Sequence, residues 1–151
     1  MPHSEEFSLF LVEDSDDDLF LFRRLLSKAE IGLPLRVATN GQSAIEQVTQ
    51  LLAAGEAPPG VFFIDLKLPL RSGFEVLEWI RKQPALRESV ALILSSSAET
   101  RDVKRAYELR ADSYLVKYPS PAVFREVLRA ASALRKGTPR ENVAFPGVPQ
   151  P

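Results

Sequence analysis

The sequence predicts an α/β fold, a doubly wound parallel sheet of five βα units with the strand order 2-1-3-4-5. The first observation is a series of short, almost wholly apolar segments, which is typical of strands buried on both faces of a sheet. The second is that segments with helical apolar spacing separate them, which favours parallel strands joined by right-handed crossovers. The third is the length of 151 residues, which suits one domain with one core.

Each predicted strand is a short apolar run bounded by turn signals or polar residues. The clearest is the run from Val61 to Ile64, which ends at Asp65, and Pro69 then forbids continuation as a central strand. The predicted strands are 7–12, 35–38, 61–64, 89–94 and 113–116.

Each predicted helix has an apolar stripe at helical spacing and a cap or breaker near its ends. Ser15 or Asp16 can cap the first helix, Gly32 and Pro34 follow it, and Gly137 stops the last one. The predicted helices are 17–30, 41–54, 73–82, 98–109 and a last one from Pro119 or Pro121 to residue 136.

The first helix has a wider apolar surface than one sheet contact needs. Phe20, Leu21 and Leu25 lie beside its main stripe. One interpretation is a deeply seated helix, and the other is a docking face for a partner.

One folded domain, 7–136, is predicted between two tails. Residues 1–6 are polar and are expected to form a disordered N-terminal tail. Residues 137–151 form a proline-rich C-terminal tail, with four prolines in the last fourteen residues, which is too short for a second domain. The apolar residues 143–145 could lie across a neighbouring subunit, and the alternative is a disordered end. We expect no attached DNA-binding or catalytic output module.

Composition excludes several classes of site. The absence of cysteine removes disulfides, thiolate catalysis and thiolate metal sites, and the one histidine, His3, rules out a triad or a multi-histidine metal site. A net charge of −1 offers no basic field for nucleic acid. No apolar run approaches the ~20 residues of a membrane span, and no secretory segment opens the chain. We therefore expect a cytoplasmic protein without nucleic-acid or membrane partners.

Polar side chains follow four of the predicted strands, and in a parallel sheet these ends share one edge. Glu13 and Asp14 follow strand one, Asp65 follows strand three, Ser95 follows strand four and Lys117 follows strand five. Crowded carboxylates repel one another unless a cation lies among them, and oxygen ligands alone favour a hard ion such as Mg²⁺. Asp65 could then attack phosphorus, with Lys117 and the Ser95 hydroxyl meeting the phosphoryl oxygens.

Each signal also has an ordinary structural explanation. An acidic cluster at a helix start usually serves capping and solvation, a lysine before an aromatic residue is usually exposed, and serines after a strand usually form a turn. The prediction depends on their combination, because four strand ends carry in order the residue types that phosphoryl transfer requires.

At these residues the sequence resembles the response-regulator receiver domains of two-component signalling, over about residues 7–135. Val12-Glu13-Asp14 is similar to the acidic pair of that family, and Ile64-Asp65-Leu66-Lys67-Leu68-Pro69 with Gly73 resembles its phosphoacceptor motif. Leu94-Ser95-Ser96 and the run from Ala111 to Lys117 resemble its strand-four hydroxyl and strand-five aromatic–lysine segments.

The resemblance implies a flavodoxin-like receiver fold and a set of roles. Asp65 would accept a phosphoryl group from the phosphohistidine of a sensor histidine kinase. Glu13, Asp14 and Asp65, with the backbone carbonyl of Lys67, would bind Mg²⁺. Ser95 and Tyr114 would form a coupled switch pair, so that Ser95 moves toward the phosphoryl group and Tyr114 turns inward.

Two positions depart from the family pattern. Tyr118 stands where a proline usually follows the lysine, often through a cis bond, and Arg110 stands where a glycine is expected before Ala111. The serine run 95–97, the long loop after the second helix and the extended tail resemble stand-alone regulators paired with phytochrome-type kinases.

The predicted function is that of a single-domain response regulator. Phosphorylation of Asp65 in the presence of Mg²⁺ would shift the helix 98–109, whose few apolar anchors (Val103, Ala106 and Leu109) predict weak attachment. The shift would change a surface for a homodimer partner, a downstream protein or a phosphotransfer protein. The chain would be a phosphoacceptor signalling protein and not an enzyme in the usual sense, with self-catalysed phosphotransfer and autodephosphorylation only.

The sequence argues against two other functions and leaves a third one open. A haloacid-dehalogenase-type phosphatase needs a second acid two residues after the nucleophile, where this chain has Lys67. A flavin-binding module needs a phosphate loop after strand one, and the acidic loop here would repel phosphate. A receiver-fold interaction module that works without phosphorylation is the alternative that Tyr118 leaves open.

Overall fold

The structure, a computed structural model, describes residues 7–151, so the predicted tail 1–6 lies outside the described residues. Five parallel strands form one sheet in the order β2-β1-β3-β4-β5, which confirms the predicted fold class and strand order. The strands are β1 (Leu9–Val12), β2 (Leu35–Ala38), β3 (Val61–Ile64), β4 (Val90–Ser95) and β5 (Ser113–Val116). The helices are α1 (Asp16–Lys28), α2 (Gly41–Ala53), α3 (Gly73–Arg81), α4 (Thr100–Glu108) and α5 (Pro121–Arg135), with 3₁₀ turns at Pro84–Leu86 and Arg140–Asn142.

None of the helices within residues 7–151 combines the length and apolarity that a membrane crossing requires.

Side-chain caps set the starts of most helices. Ser15, Asn40 and Ser120 each accept a hydrogen bond from a backbone amide in the first turn of α1, α2 and α5. Ser72 forms a capping box with Glu75 at the start of α3. Helix α4 has no side-chain cap and starts two residues later than predicted, which agrees with weak attachment of its first turn.

The alternation of side chains along the strands divides the core into two layers. On one face, Phe10 and Phe62 pack under α2, α3 and α4. On the other face, Phe22, Phe63 and Phe124 join α1 and α5 to the sheet, with ring centroids 5.0–5.4 Å apart. Helices on both faces leave the C-terminal ends of the strands as one open edge of the sheet.

Gly73 lets α3 begin directly against the end of β3. A Cβ atom at this position would collide with the Asp65 carbonyl and the Leu66 backbone. The Gly73 amide donates to the Leu66 carbonyl at 3.0 Å, so a tight loop encloses the residues that follow β3.

The C-terminal segment lies against its own chain, along β5 and α4. The Val148 amide donates to the Tyr114 carbonyl at 2.8 Å, and the Tyr107 hydroxyl donates to the Val148 carbonyl. Arg140 donates to the side chain of Asp112 at 2.6 Å. Val143 and Phe145 are partly buried against the core layer of α1 and α5. The division into a domain 7–136 and a tail stays a prediction, and so does a role of this tail in dimerisation.

Candidate active site at the C-terminal edge of the sheet

The strand ends bring Glu13, Asp65 and Lys117 together at one edge of the sheet. The Lys117 ammonium lies 2.8 Å from Glu13 Oε1 and 2.9 Å from Asp65 Oδ2. It also lies 2.9 Å from Oδ2 of Asp18, in the first turn of α1. The Lys117 side chain is only 7% exposed, and these carboxylates occupy the three donors of its ammonium.

Burial and charge shift the pKa values of Glu13 and Lys117. Burial raises the pKa of Glu13 to about 7. Repulsion from Asp65 also raises this pKa, whereas the hydrogen bond from Lys117 lowers it. Burial alone would lower the pKa of Lys117, but hydrogen bonds to Glu13, Asp18 and Asp65 outweigh it, so that this pKa lies above its ordinary value. Lys117 therefore stays a cation, while the charge of Glu13 depends on pH near neutrality.

Asp18 belongs to this group, although it was not among the predicted site residues. Its second oxygen, Oδ1, accepts a hydrogen bond from the Tyr118 hydroxyl, which together with Lys117 lowers the pKa of Asp18 despite partial burial. Asp14, which was predicted as a metal ligand, is exposed and lies outside the group. The signal that could have pointed to Asp18 is its place in the first turn of a helix whose N-terminus faces the edge.

The main chain and the following loop fix the position of Asp65. Its amide donates to the Val12 carbonyl at 3.1 Å, and the Lys67 amide donates to Asp65 Oδ1 at 3.1 Å. The side chain is 13% exposed, so that it can be reached from solvent while one oxygen contacts Lys117. The role of the Lys67 carbonyl as a metal ligand stays a prediction.

Ser95 and Tyr114 are linked through the loop after β4. Ser95 is 5% exposed, its hydroxyl oxygen accepts from the Ser97 amide at 3.2 Å, and its carbonyl accepts from the Lys117 amide at 2.8 Å. Tyr114 is completely buried, and its hydroxyl donates to the Ser97 carbonyl at 2.7 Å. The Tyr114 ring thus already lies inside in this structure, and the expected coupling of Ser95 and Tyr114 on phosphorylation stays a prediction.

The two departures from the family pattern have defined backbone geometry. The peptide bond between Lys117 and Tyr118 is cis, although no proline follows the lysine. Arg110 has a φ of 69°, the left-handed conformation that a glycine adopts most easily. The chain thus has arginine and tyrosine at the positions where the family pattern has glycine and proline.

The acidic group fits a small, hard divalent cation. Oxygen atoms of Glu13, Asp18 and Asp65 all lie within 4.8 Å of one another. Carboxylate oxygens without sulfur or nitrogen ligands suit Mg²⁺. With all three acids ionised, one lysine leaves a local excess of negative charge that such an ion would offset.

Comparisons with known proteins identify the family and the fold. The family profile of the response regulator receiver domain matches residues 9–129. Response regulator Rcp1 of Synechocystis sp. (strain ATCC 27184 / PCC 6803 / Kazusa) is 33% identical over 110 residues, which cover 72% of this chain and 75% of that protein. The structure of the bacteriophytochrome response regulator AtBRR is 30% identical with a TM-score of 0.71, and covers 82% of this chain and 90% of that chain.

A second solved structure, the bacteriophytochrome response regulator RtBRR, is 32% identical with a TM-score of 0.71 and covers 82% of this chain and 76% of that chain. The profile match spans most of the described residues and includes all five strands. The chain therefore belongs to the response regulator receiver domain family of two-component signalling.

Proposed function

We propose that this chain is a response regulator that accepts a phosphoryl group on Asp65 from the phosphohistidine of a sensor histidine kinase, in a reaction that requires Mg²⁺. The observation that carries the proposal is the Lys117 ammonium 2.9 Å from Asp65 Oδ2, within a group of three carboxylates. A lysine held there meets the charge of a phosphoryl group bound to Asp65.

The side chains divide the work of the transfer. A carboxylate oxygen of Asp65 attacks phosphorus, an O–P bond forms, and the N–P bond of the phosphohistidine breaks, with its electron pair leaving on the imidazole nitrogen. Lys117 donates to the phosphoryl oxygens, and the Ser95 hydroxyl turns from the Ser97 amide to donate to another. Loss of the phosphoryl group to water returns the Asp65 carboxylate.

The proposed ligands of Mg²⁺ are the carboxylates of Glu13 and Asp65 and the backbone carbonyl of Lys67. Asp14, which follows Glu13 in the chain, is also a proposed ligand. Bound Mg²⁺ supplies a charge that offsets the carboxylates and the transferring oxygens.

The output surface follows from the contacts of α4. Its buried residues are Val103 and Ala106, and no side chain caps its first turn at Glu99. Because Ser97 contacts both Ser95 and Tyr114, a shift of Ser95 moves the loop that leads into α4. We propose that this shift changes the surface formed by α4, β5 and α5.

The partners proposed here are a sensor histidine kinase, a second copy of the chain, and a downstream protein or phosphotransfer protein. The names of AtBRR and RtBRR, which are bacteriophytochrome response regulators, support a kinase of the phytochrome type. Self-association is tested by the mass in solution before and after phosphorylation.

Phosphate-affinity gel electrophoresis tests the role of Asp65. Wild-type protein incubated with acetyl phosphate and Mg²⁺ should show a retarded band, and Asp65→Asn should show none. Asp17→Asn is the matched control, because Asp17 is an exposed acid of α1 outside the site, and it should behave like wild type. A retarded band of normal intensity in Asp65→Asn would remove Asp65 from its role.

A receiver-fold interaction module that works without phosphorylation is the second candidate. The observation that favours it is the complete engagement of the Lys117 ammonium by side chains of its own chain. Two results, both obtained with Mg²⁺, would support this module instead. One is the absence of a retarded band for wild type with acetyl phosphate, and the other is a spectrum that does not change when beryllofluoride is added.

A further inference from the structure

Asp18 and Tyr118 lie beside the proposed phosphoacceptor, and the function proposed above assigns them no role. Asp18 Oδ2 is 2.9 Å from the Lys117 ammonium, and the Tyr118 hydroxyl donates to Asp18 Oδ1. These contacts form one chain of hydrogen bonds from the surface tyrosine to the buried ammonium. We propose that Asp18 and Tyr118 are positioning residues that hold Lys117 beside Asp65, an inference that rests on the proposed role of Asp65.

Lys117 needs an anchor that persists during the reaction. Its ammonium sits at the end of a flexible stem and is held by Glu13, Asp18 and Asp65. Glu13 and Asp65 are the carboxylates proposed to hold the cation, and an oxygen of Asp65 also becomes bonded to phosphorus. Asp18 lies close enough to share a cation with Glu13 and Asp65, but the function proposed above makes it neither a cation ligand nor the phosphoacceptor. In that scheme Asp18 keeps its hydrogen bond to Lys117 throughout the reaction.

Asp18 in turn needs a partner that fixes its orientation. Its side chain is 31% exposed at the start of α1, so the carboxylate has room to turn toward solvent. Tyr118 engages one oxygen of Asp18 while Lys117 engages the other. A rotation of the carboxylate that loses one contact therefore disturbs both, and the tyrosine acts on the lysine through the aspartate.

This link is a property of the present sequence and not of the family pattern. Tyr118 stands where that pattern has a proline, and a proline side chain has no hydroxyl to offer Asp18. Tyr118 is 37% exposed, so that its hydroxyl can be removed without opening a core cavity.

A double-mutant cycle on the phosphorylation rate tests the inference. Asp18→Asn, Tyr118→Phe and the double variant are compared with wild type, using acetyl phosphate at saturating Mg²⁺. We expect Asp18→Asn to react about tenfold more slowly, because a misplaced charge stabiliser loses much of its effect. Tyr118→Phe should be about threefold slower, and the double variant no slower than Asp18→Asn, since the tyrosine acts through the aspartate.

Asp17→Asn is the matched control. It removes the same charge from the same helical turn, but Asp17 is exposed and lies outside the group around Lys117, so its rate should stay at the wild-type value. Equal rates for Asp18→Asn and Asp17→Asn would overturn the inference, and so would additive effects in the double variant. Loss of Mg²⁺ binding in Asp18→Asn as complete as in Glu13→Gln would also overturn it, because Asp18 would then be a cation ligand.

Nuclear magnetic resonance of the lysine ammonium groups gives a measurement that does not depend on phosphorylation. In wild type the Lys117 ammonium should exchange slowly with water, and Tyr118→Phe should accelerate this exchange while the fold is unchanged. Unchanged exchange in Tyr118→Phe would overturn the inference. If wild type accepts no phosphoryl group, the proposed function fails, and this measurement still decides whether Tyr118 holds Lys117.

Discussion

Replacing Lys117 by methionine tests how strongly the acidic site depends on its internal cation. The substitution keeps an unbranched stem but leaves Glu13, Asp18 and Asp65 without the ammonium that contacts all three. Breaking a buried ion pair by removing one partner costs about 3–5 kcal/mol. The side chains of Asp18 and Asp65 are 31% and 13% exposed, so solvent screens part of the repulsion. We therefore expect the lower limit, a loss of about 3 kcal/mol in the free energy of unfolding.

Urea unfolding at pH 8 with a chelator measures this loss. Lys104→Met is the matched control, because Lys104 is exposed on α4, and its free energy of unfolding should change little. The loss in Lys117→Met should shrink toward pH 5, because Glu13, whose pKa burial raises to about 7, becomes protonated and no longer repels the other two carboxylates. Added Mg²⁺ should stabilise Lys117→Met more than wild type, since the ion binds the folded state. A solvent-exposed ion pair contributes at most about 1 kcal/mol to stability, so a smaller loss than this at pH 8 would refute the reasoning.

Three further substitutions test the site, the C-terminal contacts and the core. Burial raises the pKa of Glu13 from 4.5 to about 7, so its contribution to stability is complete below pH 4.5 and is lost as pH rises through 7. Glu13→Gln should remove about 3 kcal/mol of this pH dependence in metal-free urea unfolding, and a slope equal to wild type would contradict it. The Asp112 side chain is 4% exposed and pairs with Arg81 at 2.7 Å and Arg140 at 2.6 Å, so Asp112→Asn should lower the melting temperature through a loss of about 3 kcal/mol. An unchanged melting temperature would show that the two arginines are satisfied without it. Phe124 is fully buried, and Phe124→Ala should cost about 3–5 kcal/mol in urea unfolding; a cost below about 1 kcal/mol would mean that the neighbouring rings collapse into the space.

The strand order could be predicted because few connections of five βα units satisfy right-handed crossovers. Because the strands are parallel, the C-terminal ends of β1, β3 and β5 lie at one edge, where the structure places Glu13, Asp65 and Lys117. Helix bounds differ from the prediction by one or two residues at several ends. At α4 the reason is local, because Ala98 and Glu99 provide no side-chain cap to start the helix where the pattern begins.

The place of Asp18 could not be predicted from a run that offers five acids between residues 13 and 18. Successive residues of a helix point about 100° apart, so the acid that faces the site depends on the exact start of α1. The helix starts at Asp16 with Ser15 as its cap, one residue earlier than predicted. The contact with Tyr118 depends on the backbone after β5, which side-chain patterns do not specify.

The path of the C-terminal segment could not be predicted from the sequence either. Its prolines and isolated apolar residues have neither helical nor strand periodicity, so the pattern left two interpretations open. The structure places Val148 against the backbone of Tyr114 and Arg140 against Asp112, contacts that depend on the completed sheet edge. Such contacts join residues far apart in sequence, and no local signal marks them.

The charges at the site explain how a local reaction could reach α4. A divalent cation offsets the excess of carboxylates, but a phosphoryl group on Asp65 brings new negative charge that needs hydrogen-bond donors. Lys117 is one donor, and Ser95 is the next along the sheet edge. Ser95 can turn only by giving up the Ser97 amide, and Ser97 also accepts from Tyr114. Because that loop leads directly into a helix with two buried residues, we propose that a phosphoryl group on Asp65, by drawing the Ser95 hydroxyl toward it, would displace α4.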